Sequence, residues 1–186
     1  LSGAEGDLYD YLAEEVVGEL SGDLQQFLMR TSLLEVIEPT LGSIAGGVLP
    51  DETRRAIAEG ELLGLFSRTG PNARDQVRAH PLVRDFLQAR LHRSVGTETV
   101  IDIHRAVAVA AEAIDWRIAG HHYLAAGDLD DARRVLASAI DTILATGAYA
   151  AAEELVTALP VTDHPDPNVL VVLSRLAQQR GESSLG

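Results

Sequence analysis

The 186 residues contain no cysteine and no lysine. Without thiols there is no disulfide, no thiolate nucleophile and no cysteine-ligated zinc site. Without lysine the phosphate-binding pattern G-x-x-x-x-G-K-[ST] cannot be written, so this chain holds no P-loop. Aromatic residues make up only 4%. Alanine and leucine fill the apolar set instead, a balance suited to close helix packing rather than to a β-sandwich. No uninterrupted apolar run approaches the roughly 18–20 residues of a membrane span. No basic-then-apolar segment opens the chain either, so no signal segment or membrane partner is expected.

What is present is enough for a folded core. Apolar residues account for 46% of the chain and the mean hydropathy is +0.07, which excludes wholesale disorder. The net charge is −13, and all 15 basic residues are arginines. Such a chain repels phosphate backbones and anionic lipid unless its positive charge is segregated. Between Asp51 and Arg93, eight arginines meet six acids, leaving +2 there and −15 in the remainder. The first residue is Leu1 and the last six form a polar stretch, so both ends are expected to be internal to a longer protein.

The first half reads as helices interrupted once by a hairpin. Leu8, Leu12, Val16, Val17 and Leu20 share one helical face, with Asp7 near its cap. A second helix is expected from about Asp23, burying Leu24, Phe27, Leu28 and Leu34. Pro39 and Gly46-Gly47 bound a short third segment. Asp51 is placed to cap a helix whose inner face is Ile57, Leu62 and Leu63. The extended runs at residues 65–67 and 76–80 flank Gly70-Pro71-Asn72, which predicts a β-hairpin. Pro81 then fits the first turn of a helix to about Arg93, burying Leu82, Val83, Phe86, Leu87 and Leu91. Helices, hairpin, helix is the order of a winged helix.

The second half carries no strand signal. Helices are expected over residues 99–113, 116–125, 129–146, 149–159 and 169–180, with Pro160, Pro165 and Pro167 before the last. Gly127-Asp128-Leu129 with Ala132 and Leu136 echoes Gly147-Ala148-Tyr149 with Ala152 and Val156. Trp116, Ala119, Gly120, Tyr123, Ala132, Leu136 and Ala139 lie close to the tetratricopeptide pattern, although the later spacing is about twenty residues. The expected architecture is mainly α: a winged helix over residues 1–95, then a tetratricopeptide-like superhelix over 96–186.

Four segments in order carry a resemblance. They are Tyr9-Asp10-Tyr11-Leu12, Phe27-Leu28-Met29-Arg30-Thr31-Ser32-Leu33-Leu34, His80-Pro81-Leu82-Val83-Arg84-Asp85-Phe86-Leu87, and Ala119-x-x-His122-x-Leu124-Ala125-Ala126-Gly127-Asp128. Together they resemble the large ATP-binding, LuxR-family transcription regulators typified by the maltose-regulon activator, within the signal-transduction ATPase class. The resemblance implies a cytoplasmic regulator whose upstream ATPase domain binds ATP or ADP, with a repeat region that receives a protein or small-molecule inducer. It further implies that His80 matches a histidine which faces the nucleotide's β-phosphate in the resting state. The bland alternative for His80 is a helix cap holding the hairpin. The Walker B acids and the C-terminal helix-turn-helix of such regulators do not occur in this chain, so DNA recognition is expected outside it.

Other constellations are weaker. Arg54 and Arg55 on the helix before the hairpin, with Arg68, Arg74 and Arg78 in or beside the wing, could contact DNA or a neighbouring domain. The acids Asp51, Glu52, Glu59 and Glu61 on that helix oppose phosphate contact. His121 and His122 are adjacent and diverge on a helix, so they do not ligate one metal ion. No G-x-S-x-G elbow accompanies the serines, and Glu14-Glu15 and Glu153-Glu154 splay by roughly 100°. No catalytic set is expected. Trp116 and Tyr123 hold repeat-packing positions, which leaves Tyr149 as the freer large side chain for a ligand or partner surface. The competing functional class is an interaction scaffold whose winged helix is only a cap.

Overall fold

A computed structural model of the chain describes residue 15 and residues 17–68, 76–160 and 167–179. Most of the first expected helix, the Gly70-Pro71-Asn72 turn, Arg74 and Pro165 lie outside the described residues. The chain divides between Ala106 and Val107 into two compact units.

The first unit opens with α1 (Gly22–Thr31), α2 (Pro39–Gly46) and α3 (Pro50–Leu62). Ser21 caps α1, its hydroxyl accepting the Leu24 N–H at 3.3 Å, while Asp23 sits in the first turn. Leu24, Phe27 and Leu28 form the buried face, and Leu34 is buried beyond the helix. Glu38 caps α2 by accepting the Leu41 N–H at 2.6 Å. Arg30 then ties the two helix ends together, donating its Nε–H to the Ala45 carbonyl at 2.7 Å.

Asp51 does not cap α3. Pro50 occupies the first turn, where its missing N–H is no loss, and this moves the cap back to Leu49. The Glu52 carboxylate accepts the Leu49 N–H at 2.9 Å. The inner face expected for this helix also needs correction. Ile57 is buried beside Thr53 and Gly60, but Leu62 is 89% exposed and Leu63 is 42% exposed. Five residues at about 100° each carry Leu62 some 140° away from Ile57.

The hairpin is present as β1 (Phe66–Arg68) and β2 (Val77–Ala79), antiparallel, with Phe66 opposite Ala79 and Arg68 opposite Val77. Ile37, in the link between α1 and α2, adds an antiparallel bridge to Val77 that was not expected.

Next comes α4 (Pro81–Ala111), one helical stretch broken only at Gly96. Sequence signals divided this stretch into two helices separated by residues 94–98. The structure keeps helix up to and beyond a single residue whose φ of 77° and ψ of 165° suit glycine. Leu87 and Leu91 are fully buried. Gln88 donates to the Ser32 carbonyl at 2.8 Å, pinning α4 to the end of α1.

The second unit continues with α5 (Trp116–Ala126), α6 (Leu129–Ser138), α7 (Ile140–Thr146), α8 (Tyr149–Ala158) and α9 (Pro167–Gln179). Residues 129–146, expected as one helix, break at Ala139, whose φ of −87° and ψ of 0° depart from the helical spiral. Helix α5 packs on α6 and α8, and α9 packs on α6 and α8. Leu136, Ala139, Ile143, Ala152, Val169 and Val172 make the buried cluster between these helices. Fully burying a side chain such as Leu136 or Ile143 contributes about 1.5–3 kcal/mol.

Candidate functional site

The junction of hairpin and helix is the feature that the sequence points to most directly. Strand β2 ends at Ala79 and α4 begins at Pro81, so His80 occupies the cap position between them. Its carbonyl accepts the Arg84 N–H at 2.9 Å, and the residue is exposed. Proline at the following position fixes the direction in which the helix leaves the strand. An imidazole held there has a defined mount and access to solvent. It can offer an N–H to an oxygen ligand.

The arginines around the hairpin are mostly matched to acids. Arg54 pairs with Asp51, and Arg55 donates its Nε–H to the Asp51 carbonyl oxygen at 3.3 Å. Arg68 pairs with Glu61 at 2.7 Å, and Arg78 with Glu35 at 2.9 Å. Exposed pairs of this kind add only about 0–1 kcal/mol each to stability. Their electrostatic effect is larger than that, because each one cancels positive charge that a phosphate backbone would need. Arg74 lies outside the described residues.

The second unit contains a charged clasp that sequence reasoning missed. Glu112 near the end of α4, Tyr123 on α5 and Arg134 on α6 converge. The Tyr123 hydroxyl donates to Glu112 Oε1 at 2.5 Å, while Arg134 grips both carboxylate oxygens at 2.7 and 3.0 Å. Arg134 also reaches Asp131 at 2.9 Å, and its guanidinium stands 5.9 Å from the centre of the Tyr123 ring. Hydrogen bonds from Arg134, then from Tyr123, hold the Glu112 carboxyl at about pKa 2. Burial and the bond to Glu112 push the Tyr123 phenol up to about 12. The same carboxylates raise the Arg134 guanidinium. Glu112, in the turn after α4, and Arg134 on α6 lie 22 residues apart, a proximity that only the tertiary structure reveals.

Tyr149 is half-buried and packs on the same cluster as Trp116, so both spend part of their surface on the core. His122 is buried and His121 exposed, their rings edge to face at 5.6 Å. Among the described residues no group of three or more His, Asp or Glu is placed to hold a metal ion. Among them, too, no helix is long and apolar enough to cross a membrane.

Three helices, a two-stranded hairpin and a following helix define a winged-helix module, here continued by packed helices. Residues 13–99 match the family model described as the MalT winged helix domain. Over 135 residues the chain is 35% identical to the HTH-type transcriptional regulator MalT of Cronobacter sakazakii, covering 69% of this chain and 14% of that protein. Over 154 residues it is 30% identical to the regulator of the same name from Yersinia enterocolitica, covering 82% and 17%. It is also 36% identical over 130 residues to the serine/threonine-protein kinase PknK of Mycobacterium tuberculosis, covering 69% and 11%. The chain thus spans less than a fifth of the length of each of these relatives.

Proposed function

We propose that this chain is the regulatory segment of an ATP-dependent transcription regulator. In this reading the winged helix receives the nucleotide state, ATP or ADP, of an ATPase domain upstream in the same polypeptide. The following tetratricopeptide-like helices take a protein or small-molecule inducer, and a helix-turn-helix outside the chain contacts DNA. The parent protein works in the cytoplasm. The observation that supports this most is the placement of His80, exposed on the joint between β2 and α4. A phosphate that holds the imidazole in one state and releases it in the other biases two arrangements of the winged helix. Protonation strengthens that contact, since both ring nitrogens then donate.

The test is His80→Ala in the full-length protein, with ADP affinity and basal transcription measured together. The expected result is weaker ADP retention and raised basal activity. Unchanged ADP affinity with unchanged basal activity rules the switch role out.

The similarity to a protein named as a kinase supports a second reading, in which the segment is an interaction scaffold independent of DNA output. Removing residues 107–186 from the parent protein separates the two. Loss of inducer response with ADP binding intact favours the regulator, whereas loss of a bound protein partner alone favours the scaffold.

A further inference from the structure

The middle of α4 is not supported by the core. Leu91 is fully buried and Val100 is 4% exposed, yet none of the eight residues from His92 to Thr99 is buried. That is just over two turns of helix without an inner face. Ser94, Val95, Gly96, Thr97 and Thr99 are all weak helix formers, so neither packing nor propensity holds the stretch. The Ser94 hydroxyl donates to the Leu91 carbonyl at 3.0 Å and so competes with the backbone for that acceptor. Gly96 stands among them with torsions that glycine alone adopts readily. Packing does not call for a glycine there, because a Cβ would meet nothing within 4 Å. Inside other helices it does: a Cβ at Gly46, Gly60 or Gly120 would come within 2.7, 2.5 or 2.6 Å of Phe27, Phe66 or Leu155.

We propose that residues 92–99 are a joint in α4, which unwinds and re-forms on its own while the rest of the chain stays folded. Segments with few buried apolar contacts and solvent-exposed backbone bonds are the ones that open well below the free energy of global unfolding. Each half of α4 keeps its own anchor, Leu87 and Leu91 before the joint, Val100, Ile103 and Val107 after it. Formed, the joint passes a rotation of one half on to the other; unwound, it uncouples them. Helix α4 begins beside the hairpin and ends in the second unit. The joint therefore sets whether a movement of the winged helix reaches the helices that follow. The proposal does not depend on the role given to His80.

Trypsin reads this directly, because it cuts after arginine and needs the chain unwound around the bond. Arg93 in the joint and Arg105 in the second half of α4 are both exposed. Digestion of the folded chain, followed by mass spectrometry, is expected to cut Arg93–Ser94 about tenfold faster than Arg105–Ala106. Low concentrations of urea should leave the first rate nearly unchanged, since a local opening exposes little surface, and raise the second. Thr97→Ala/Thr99→Ala strengthens the helix without touching the cut bond, and should slow the Arg93–Ser94 cut roughly threefold. Equal rates at the two bonds overturn the proposal. So does an Arg93–Ser94 rate that climbs with urea as steeply as the other, which assigns the cut to global unfolding. An unchanged rate in Thr97→Ala/Thr99→Ala, at an unchanged thermal midpoint, overturns it as well. Should that variant fail to fold, the urea dependence of the parent chain decides alone.

Discussion

Ile37 and Val77 exchange two backbone hydrogen bonds, Ile37 N–H to the Val77 carbonyl at 2.8 Å and Val77 N–H to the Ile37 carbonyl at 3.0 Å. Both side chains are buried, at 1% and 0% exposure. The link between α1 and α2 thereby becomes a third rung beside the hairpin, and the wing is anchored to the helices at its base. Ile37→Ala is expected to destabilise the first unit by about 2–5 kcal/mol, through lost burial and the cavity left behind. Urea denaturation of the single variants and of Ile37→Ala/Val77→Ala checks this. The double variant should lose less than the sum, because the two residues share one cavity.

Gly60 faces the ring of Phe66, and a Cβ added there would lie 2.5 Å from a ring carbon. Alanine is the better helix former by about 1 kcal/mol, but forcing an aromatic ring aside in a packed site costs about 1–3 kcal/mol. The clash wins. Gly60→Ala should lower the thermal midpoint, and Phe66→Leu in the same chain should recover part of the loss. A midpoint unchanged by Gly60→Ala would mean that the ring is free to move.

The Glu112 clasp makes the stability of the second unit depend on pH. Its carboxyl has a lower pKa folded than unfolded, so folding binds fewer protons and the stabilisation is complete above about pH 5. It fades as the pH falls toward 2. At the alkaline end the sign is reversed for Tyr123, whose raised pKa favours the folded state below about pH 10 and loses effect toward 12. Because Glu112 and Arg134 are partly solvated, the acid-side effect is on the order of 1 kcal/mol. Glu112→Gln should flatten the stability curve between about pH 5 and pH 3. Chemical denaturation across that range reads it directly.

DNA binding by the winged helix is expected to be absent. Arg54, Arg68 and Arg78 already face Asp51, Glu61 and Glu35, which cancels part of the positive charge that a phosphate backbone would need, and the chain as a whole carries −13. Fluorescence anisotropy with a random duplex at about 50 mM salt should show no binding, a condition that favours even non-specific contacts. Binding that weakens in Arg54→Ala/Arg55→Ala would reverse this view.

How much of this was legible beforehand differs by feature. The hairpin was, because Leu65-Phe66 and Val77 are extended-chain residues separated by breakers. The burial of Leu24, Phe27 and Leu28 was also visible, since one helical face repeats faithfully. The Ile37 bridge was not, because a single paired residue leaves no period in a sequence. The break at Ala139 was hidden for the opposite reason: alanine is the strongest helix former, and nothing local announces a stop there. Gly96 falls in the gap between the two expected helices, whereas one residue with a positive φ lets the helix resume at once. His80 was found through its neighbours in a recognisable segment. The Glu112 clasp needed three-dimensional neighbours and had no sequence signal.

Helix α9 turns Val169 and Val172 into the cluster, while Leu170, Val171 and Leu173 on the same helix are 48%, 44% and 39% exposed. A helix that is apolar on two sides wets poorly, and water around its outer row is gained back whenever two such rows meet. Light scattering from the isolated chain should therefore rise with concentration despite a net charge of −13, and a polar residue in place of Leu170 should restore colloidal behaviour without touching the cluster beneath.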